Sequence, residues 1–139
     1  MKLVECIDVT KVYQQGRLTV EALKDISLQI DKGEFLAVAG PSGSGKTTLL
    51  NMIGGLDMLD SGSISVNGEA FESMSQSQLA SLRLHKIGFV FQAYNLIPVL
   101  SAIENVEYVM LLQGRPSQER REKSRAILDE VGLAGKYHR

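Results

Sequence analysis

Two stretches of the chain are almost unbroken apolar runs, and the pattern around them alternates or turns helical. Phe35-Leu36-Ala37-Val38-Ala39, preceded by Glu34, is one; Ile87-Gly88-Phe89-Val90-Phe91 is the other. Short continuous runs of this kind predict strands covered on both faces, as in a parallel sheet. Upstream the pattern differs. Leu3 to Tyr13 carries Leu3, Val4, Ile7, Val9 and Val12, an imperfect strand pattern, and Gln14–Arg17 reads as a turn. Leu18–Leu23 and Ile26–Ile30 alternate like half-buried strands, with Ile26, Leu28 and Ile30 on one face, before a turn at Asp31–Glu34. Ser63–Val66 is a short strand ended by the turn pair Asn67-Gly68. The opening is therefore an antiparallel β unit that feeds a buried strand.

Helical spacing fills the rest. Thr48-Leu49-Leu50-Asn51-Met52-Ile53 stops at Gly54-Gly55. Ser75 with Gln78 is a capping-box pattern opening a short helix with Leu79 and Leu82. Ser101 with Glu104 repeats the pattern, for a helix through about Leu112 with Ile103, Val106, Val109 and Met110 inward. After Gly114-Arg115-Pro116, Ser117 is expected to cap a charged helix with Ala126, Ile127, Leu128 and Val131 on its apolar side. Glu119 and Lys123 pair on its outer face and Gly132 stops it. Strands alternating with helices predict an α/β protein.

Composition narrows this only slightly. With 139 residues the chain suffices for one domain with a modest core. A formal net charge of −1 gives no global field to recruit nucleic acid or an anionic membrane, so no nucleic-acid partner is expected. The lone Cys6 cannot form an internal disulfide, which suits a reducing compartment. No apolar run approaches the length of a spanning helix, and acids at Glu5 and Asp8 interrupt any signal-like start. A cytoplasmic location is the expectation.

The chemistry lies between the first apolar run and the helix after it. Gly40-Pro41-Ser42-Gly43-Ser44-Gly45-Lys46-Thr47 fully matches G-x-x-x-x-G-K-[ST], the phosphate-binding loop of nucleotide triphosphatases. Glycines let the backbone curl and bring N–H groups up to phosphate oxygens. The following helix points its positive end at the same anion. Lys46 can reach the β- and γ-phosphates, and the Thr47 hydroxyl can hold a Mg²⁺ that also takes phosphate oxygens. A chance match in a chain this size is on the order of one in a few hundred. The strand before and helix after are the context the motif requires.

Several segments in order resemble the nucleotide-binding subunit of an ABC transporter, in wording closest to the branch serving lipoprotein release and macrolide-type export. They are the loop with Thr48-Leu49-Leu50, Gly54-Gly55-Leu56-Asp57, Ser61-Gly62-Ser63-Ile64 with Asn67-Gly68, and Ile87-Gly88-Phe89-Val90-Phe91-Gln92. The last continues into Asn95-Leu96-Ile97-Pro98 and Glu104-Asn105-Val106. Ser101 and Val109 stand where many members of that branch have threonine and proline. The resemblance covers the whole chain but only the N-terminal part of the family domain. It implies a P-loop NTPase (RecA-like) α/β core with an N-terminal antiparallel β-subdomain and the start of a helical subdomain, an incomplete domain. Residues 1–92 would be the ATP-binding core and β-subdomain, and 93–139 the glutamine loop and helical start. ATP and Mg²⁺ are the implied cofactors, held by Gly40 to Thr48. Tyr13 sits where the family stacks an aromatic on adenine; a strand tyrosine packed on neighbours is the plain alternative. Gln92 sits where the family places a glutamine that touches Mg²⁺ or the attacking water, so Lys46 and Gln92 are the implied catalytic residues and Thr47 and Gln92 the metal-side ones. Implied partners are a transmembrane permease, contacted by residues 93–113, and a second nucleotide-binding domain in a homodimer. The protein would then lie on the inner face of the cell membrane.

The family also needs an acid pair after an apolar strand, to hold Mg²⁺ through water and to activate water. Ile127-Leu128-Asp129-Glu130 imitates it, but the spacing of Ile127, Leu128 and Val131 is helical, so the acids belong on a helix. His85 and His138 read as solvent-facing polar residues. Without the signature motif, acid pair and switch histidine, hydrolysis by these residues alone should be negligible. Without the acid-pair strand, Phe35–Ala39 and Ile87–Phe91 should lack a shared neighbour and expose apolar faces. Rival readings are another P-loop enzyme such as a nucleotide kinase, a non-hydrolysing nucleotide-dependent interaction module, and a DNA-repair ATPase.

Overall fold

The computed structural model describes residues 1–139, as two compact units, Met1–Arg83 and Leu84–Arg139. The first is built on a four-stranded antiparallel sheet. It comprises β1 (Lys2–Gln15), β2 (Leu18–Asp31), β3 (Ser61–Val66) and β4 (Glu69–Ala70), ordered β2-β1-β3-β4. Helix α1 (Lys46–Ile53) lies between β2 and β3 in sequence, and α2 (Gln76–Lys86) follows a short 3₁₀ turn at Phe71–Ser73.

The imperfect pattern of β1 has a local cause. Val4 and Cys6 are buried, then Val9 and Lys11, so the inward phase slips by one residue. The slip sits at Asp8, whose φ is +49°, and the pairing of β1 with both neighbours shifts there. A bulge re-aims every side chain beyond it. Asp25, φ +46°, makes the matching irregularity in β2. Ser27 braces the first bulge: its Oγ accepts from the Asp8 N–H at 2.9 Å and donates to the Asp8 carboxylate at 3.0 Å. The two strands expected at 18–23 and 26–30 are thus one bulged strand.

The core of this unit joins the inner sheet face (Val9, Leu23, Ile64) to Leu49 and Met52 of α1 and Leu79 and Leu82 of α2. Cys6 is 1% exposed, and burial pushes its thiol up to about 11. The folded protein is therefore expected to be inert to a thiol-specific reagent at neutral pH, with reaction appearing only as denaturant unfolds it. The capping box at α2 is present: the Ser75 N–H donates to Gln78 Oε1 at 2.8 Å, and the Gln78 N–H to Ser75 Oγ at 3.3 Å.

The two apolar runs do not form strands. Residues 34–40 and 87–91 have no regular secondary structure and join no ladder; Phe35 is 96% exposed and Val90 103%. A strand needs a hydrogen-bonded neighbour, and no segment of residues 1–139 pairs with either. Exposure of these faces is what the missing acid-pair strand predicts. Phe89 and Phe91 stack on each other at 5.5 Å.

In the second unit α3 (Ala102–Leu112) packs on α4 (Ser117–Glu130). The Ser101–Glu104 capping box is present. Two first-turn N–H groups of α3, on Ala102 and Ile103, donate to the carbonyls of Arg139 and Tyr137 at 2.9 Å each. Ile103 is buried, but Val109, expected inward, is 51% exposed because it lies about 240° around the helix from Ile103. Ser117 is the first helical residue of α4, not its cap; Pro116 holds the cap position with extended backbone. Gly132 ends the helix as expected, its N–H and that of Leu133 donating to Asp129 and Leu128 in a Schellman arrangement.

The buried stripe of α4 is also different. Arg120, Ser124 and Leu128, spaced by four, face inward; Ala126 and Ile127 are exposed, and Val131, beyond the last turn, is 63% exposed. Ser124 is fully buried and its hydroxyl has no hydrogen-bond partner. An unpaired buried hydroxyl costs roughly 1–3 kcal/mol, and alanine is the better helix former. Ser124→Ala is therefore expected to stabilise the protein by about 1 kcal/mol, read as a higher denaturant midpoint at unchanged slope.

Candidate functional site

The loop from Gly40 to Gly45 is open to solvent and closes on α1. Ser44 donates its N–H to the Pro41 carbonyl at 3.2 Å, Gly43 has φ +80° and Gly45 φ +91°. Gly45 is the cap residue of α1 and offers no side-chain cap; its carbonyl accepts the Leu49 N–H at 2.8 Å. No acidic residue sits in the first turn. The positive helix end is thus left to an external anion. A Cβ on Gly45 would come within 2.5 Å of the Ala22 carbonyl oxygen, and one on Gly40 within 2.7 Å of Ser44 Oγ. The loop is pressed against β2, and glycine at 45 is what allows it.

Lys46 lies back across its own loop. Its Nζ donates to the carbonyls of Gly40 at 2.8 Å and Pro41 at 2.7 Å, with Ser44 Oγ at 3.4 Å. These are neutral acceptors, which phosphate oxygens can outcompete for an ammonium. Thr47 is exposed one residue along, and Thr48 is half-buried. Pro41 and Ser42 form the exposed rim. The donor set suits a polyphosphate with a hard cation: curled backbone, one cation held only by neutral oxygens, exposed hydroxyls on Ser42, Ser44 and Thr47, and no acid in the first turn of α1.

Tyr13, near the end of β1, is held by a cluster that the sequence did not reveal. Its hydroxyl donates to Asp57 Oδ2 at 2.6 Å. Lys11, 9% exposed, donates to the Met58 carbonyl at 2.6 Å, pairs with Asp57 at 3.3 Å and lies over the Tyr13 ring at 5.1 Å. The Met58 N–H donates to Asp57 Oδ1 at 2.7 Å. Burial alone would raise the Asp57 carboxyl, but hydrogen bonds from Tyr13, Met58 and Lys11 and the lysine charge outweigh it and hold the carboxyl below its usual range. The Asp57 hydrogen bond, burial and the Asp57 charge push the Tyr13 phenol upward, and Thr48 opposes them without reversing the shift. The only earlier sign was Lys11 itself, a lysine at an inward strand position once the bulge at Asp8 is counted.

Gln92 lies in the second unit, exposed in the loop that follows Phe91. Downstream, Asn105 fixes that loop. Its Oδ1 accepts the Ile97 N–H at 2.8 Å, and its amide donates to Leu100 and Ser101 carbonyls at 3.0 and 3.1 Å. Tyr94, Leu96 and Val99 are exposed. Asp129 and Glu130 are exposed on α4, and Asp129 accepts the Tyr137 hydroxyl. They stand on a helix, as their spacing predicts. His85 and His138 are exposed.

A glycine-constrained loop opening a helix, with its lysine and threonine, defines a P-loop nucleotide-binding protein. The family model for ABC transporters matches residues 23–139, and the chain belongs to that family. Among curated relatives, an uncharacterised ABC transporter ATP-binding protein of Thermotoga maritima is 44% identical over 99% of the chain. The lipoprotein-releasing system ATP-binding protein LolD of Saccharophagus degradans is 41% identical over 95%. The macrolide export ATP-binding/permease protein MacB of Sodalis glossinidius is 46% identical over 98% of the chain. The ATP-binding cassette MJ0796, solved as a dimer in a post-hydrolysis state with ADP and Pi, superposes with a TM-score of 0.89 at 38% identity over 97% of the chain. The chain spans 58% of the first two relatives, 21% of MacB and 60% of the solved cassette. It corresponds to the N-terminal part of an ABC ATP-binding cassette, the α/β fold class its motifs imply.

Proposed function

We propose that these residues form the nucleotide-holding half of an ABC transport ATPase and bind Mg-ATP. The observation that carries this is the loop at Gly40–Thr47, wedged on β2 at Gly45 and opening α1 with an uncapped positive end. In this reading the loop N–H groups take the phosphates, Lys46 the β- and γ-phosphate charge, and Thr47 the Mg²⁺. The Tyr13 ring stacks on adenine, and Gln92, carried by the second unit, takes the role of the family's glutamine. Magnesium would supply charge neutralisation across the phosphates. The residues of this chain hold and orient; the base for the attacking water would come from the rest of the protein. Similarity to a dimeric cassette and to transporter subunits supports a second cassette and a membrane permease as partners, with the exposed Tyr94, Leu96 and Val99 toward the permease, on the cytoplasmic side.

The test is titration of a fluorescent ATP analogue with and without Mg²⁺. Saturable binding that Mg²⁺ tightens and that depends on Lys46 is expected. Binding indifferent to Lys46 would overturn the assignment of the loop.

A further inference from the structure

The end of β1 and the segment after α1 are joined by four hydrogen bonds among seven residues. The Asp60 N–H donates to the Thr10 carbonyl at 3.0 Å, and the Val12 N–H to Asp60 Oδ2 at 2.7 Å. Lys11 Nζ donates to the Met58 carbonyl at 2.6 Å, and the Tyr13 hydroxyl to Asp57 Oδ2 at 2.6 Å. Backbone bonds alone would fix the chain path. The last two do something else, because they start from the Lys11 and Tyr13 side chains and so bear on one aromatic ring. Lys11 limits the tilt of the Tyr13 ring from its face, and Asp57 limits its rotation from the hydroxyl end. A lysine 9% exposed, with its charge against a carboxylate and a ring, is a costly way merely to cover a strand.

We infer that Lys11 and Asp57 are positioning residues that hold the Tyr13 ring in one pose on the β1–β2 pair that the phosphate loop rests against, so that a purine base and a polyphosphate are gripped by one rigid piece. The inference rests on the reading that Tyr13 stacks on adenine. Stacking on a ring that can swing loses part of its worth to ordering. Lys11 pairs across the sheet with Leu23 and Tyr13 with Val20, while Gly45 of the loop rests against Ala22 and Leu23. The base platform and the phosphate loop are therefore seated on the same stretch of the β1–β2 pair.

The experiment is competition titration on the full-length protein, with ATP and with inorganic tripolyphosphate as competitors. The variants are Asp57→Ala, Tyr13→Phe, their double variant and Tyr13→Ala. Tyr13→Phe keeps the ring and removes only the hydroxyl, so it carries the test if Asp57→Ala folds poorly. Asp57→Ala and Tyr13→Phe are each expected to weaken ATP about fivefold, to leave tripolyphosphate unchanged, and to be no worse when combined. Equal weakening of ATP and tripolyphosphate would show damage to the fold and overturn the inference. If Tyr13→Ala weakens ATP while Asp57→Ala and Tyr13→Phe do not, stacking stands and positioning is wrong. If Tyr13→Ala has no effect on ATP, stacking itself is wrong and the inference goes with it.

Discussion

Lys46→Ala is expected to weaken Mg-ATP binding by about 10- to 100-fold while leaving the melting temperature nearly unchanged. An ammonium on phosphate oxygens makes charge-assisted hydrogen bonds worth roughly 1.5–3 kcal/mol, and each 1.4 kcal/mol is tenfold in affinity. Within the loop Lys46 donates to the carbonyls of Gly40 and Pro41, both in an exposed segment. Water can replace those bonds when the side chain is removed, so stability should change by no more than about 0.5 kcal/mol. Affinity and stability are separable at this residue because its strongest partner is the ligand. Titration of a fluorescent ATP analogue, with a thermal melt of the same samples, checks both halves. An unaltered dissociation constant would remove the loop from the site.

Gly45→Ala and Gly62→Ala are expected to destabilise the fold to a similar extent, yet only the first should also weaken nucleotide binding. Both glycines have left-handed φ, +91° and +90°. A Cβ at 45 would sit 2.5 Å from the Ala22 carbonyl oxygen, and one at 62 would sit 2.3 Å from that of Asp8. Both obstacles are backbone in the sheet, so neither moves cheaply. Strain and clash together should cost roughly 2–4 kcal/mol at each position. Gly43→Ala, at φ +80° but with open space around it, should cost only about 1 kcal/mol. The difference in function follows from place. Gly45 sets the loop against β2, whereas Gly62 holds β3 beside the bulge at Asp8. Denaturant midpoints and ATP titrations of the three variants test this ranking. A Gly45→Ala protein as stable as its parent would show that the close approach to Ala22 is absent.

The phosphate loop was legible because its chemistry is local. Eight consecutive residues carry the backbone freedom, the charge and the hydroxyl, and the helix they open follows directly in the chain. The capping boxes at Ser75 and Ser101 and the stop at Gly132 were legible for the same reason. Tyr13 was flagged by family position alone; its fixation by Lys11 and Asp57 was not visible, because those partners are 46 residues apart in sequence. The bulges at Asp8 and Asp25 blurred the strand pattern by re-phasing it. In α4 the inward stripe holds Arg120 and Ser124, polar residues that an apolar pattern cannot pick out.

Sequence by itself determined the family, the phosphate loop and the existence of the four helices, since each rests on contiguous residues or short spacing. It also determined that Phe35–Ala39 and Ile87–Phe91 are apolar runs. Whether an apolar run becomes a strand is settled by a neighbour that accepts and donates hydrogen bonds along it, and residues 1–139 offer neither run that neighbour. Tertiary structure alone decided the two bulges, the contact of Gly45 with β2, and the convergence of Lys11, Tyr13 and Asp57. Each of these is a meeting of residues distant in sequence, fixed by the path of the chain.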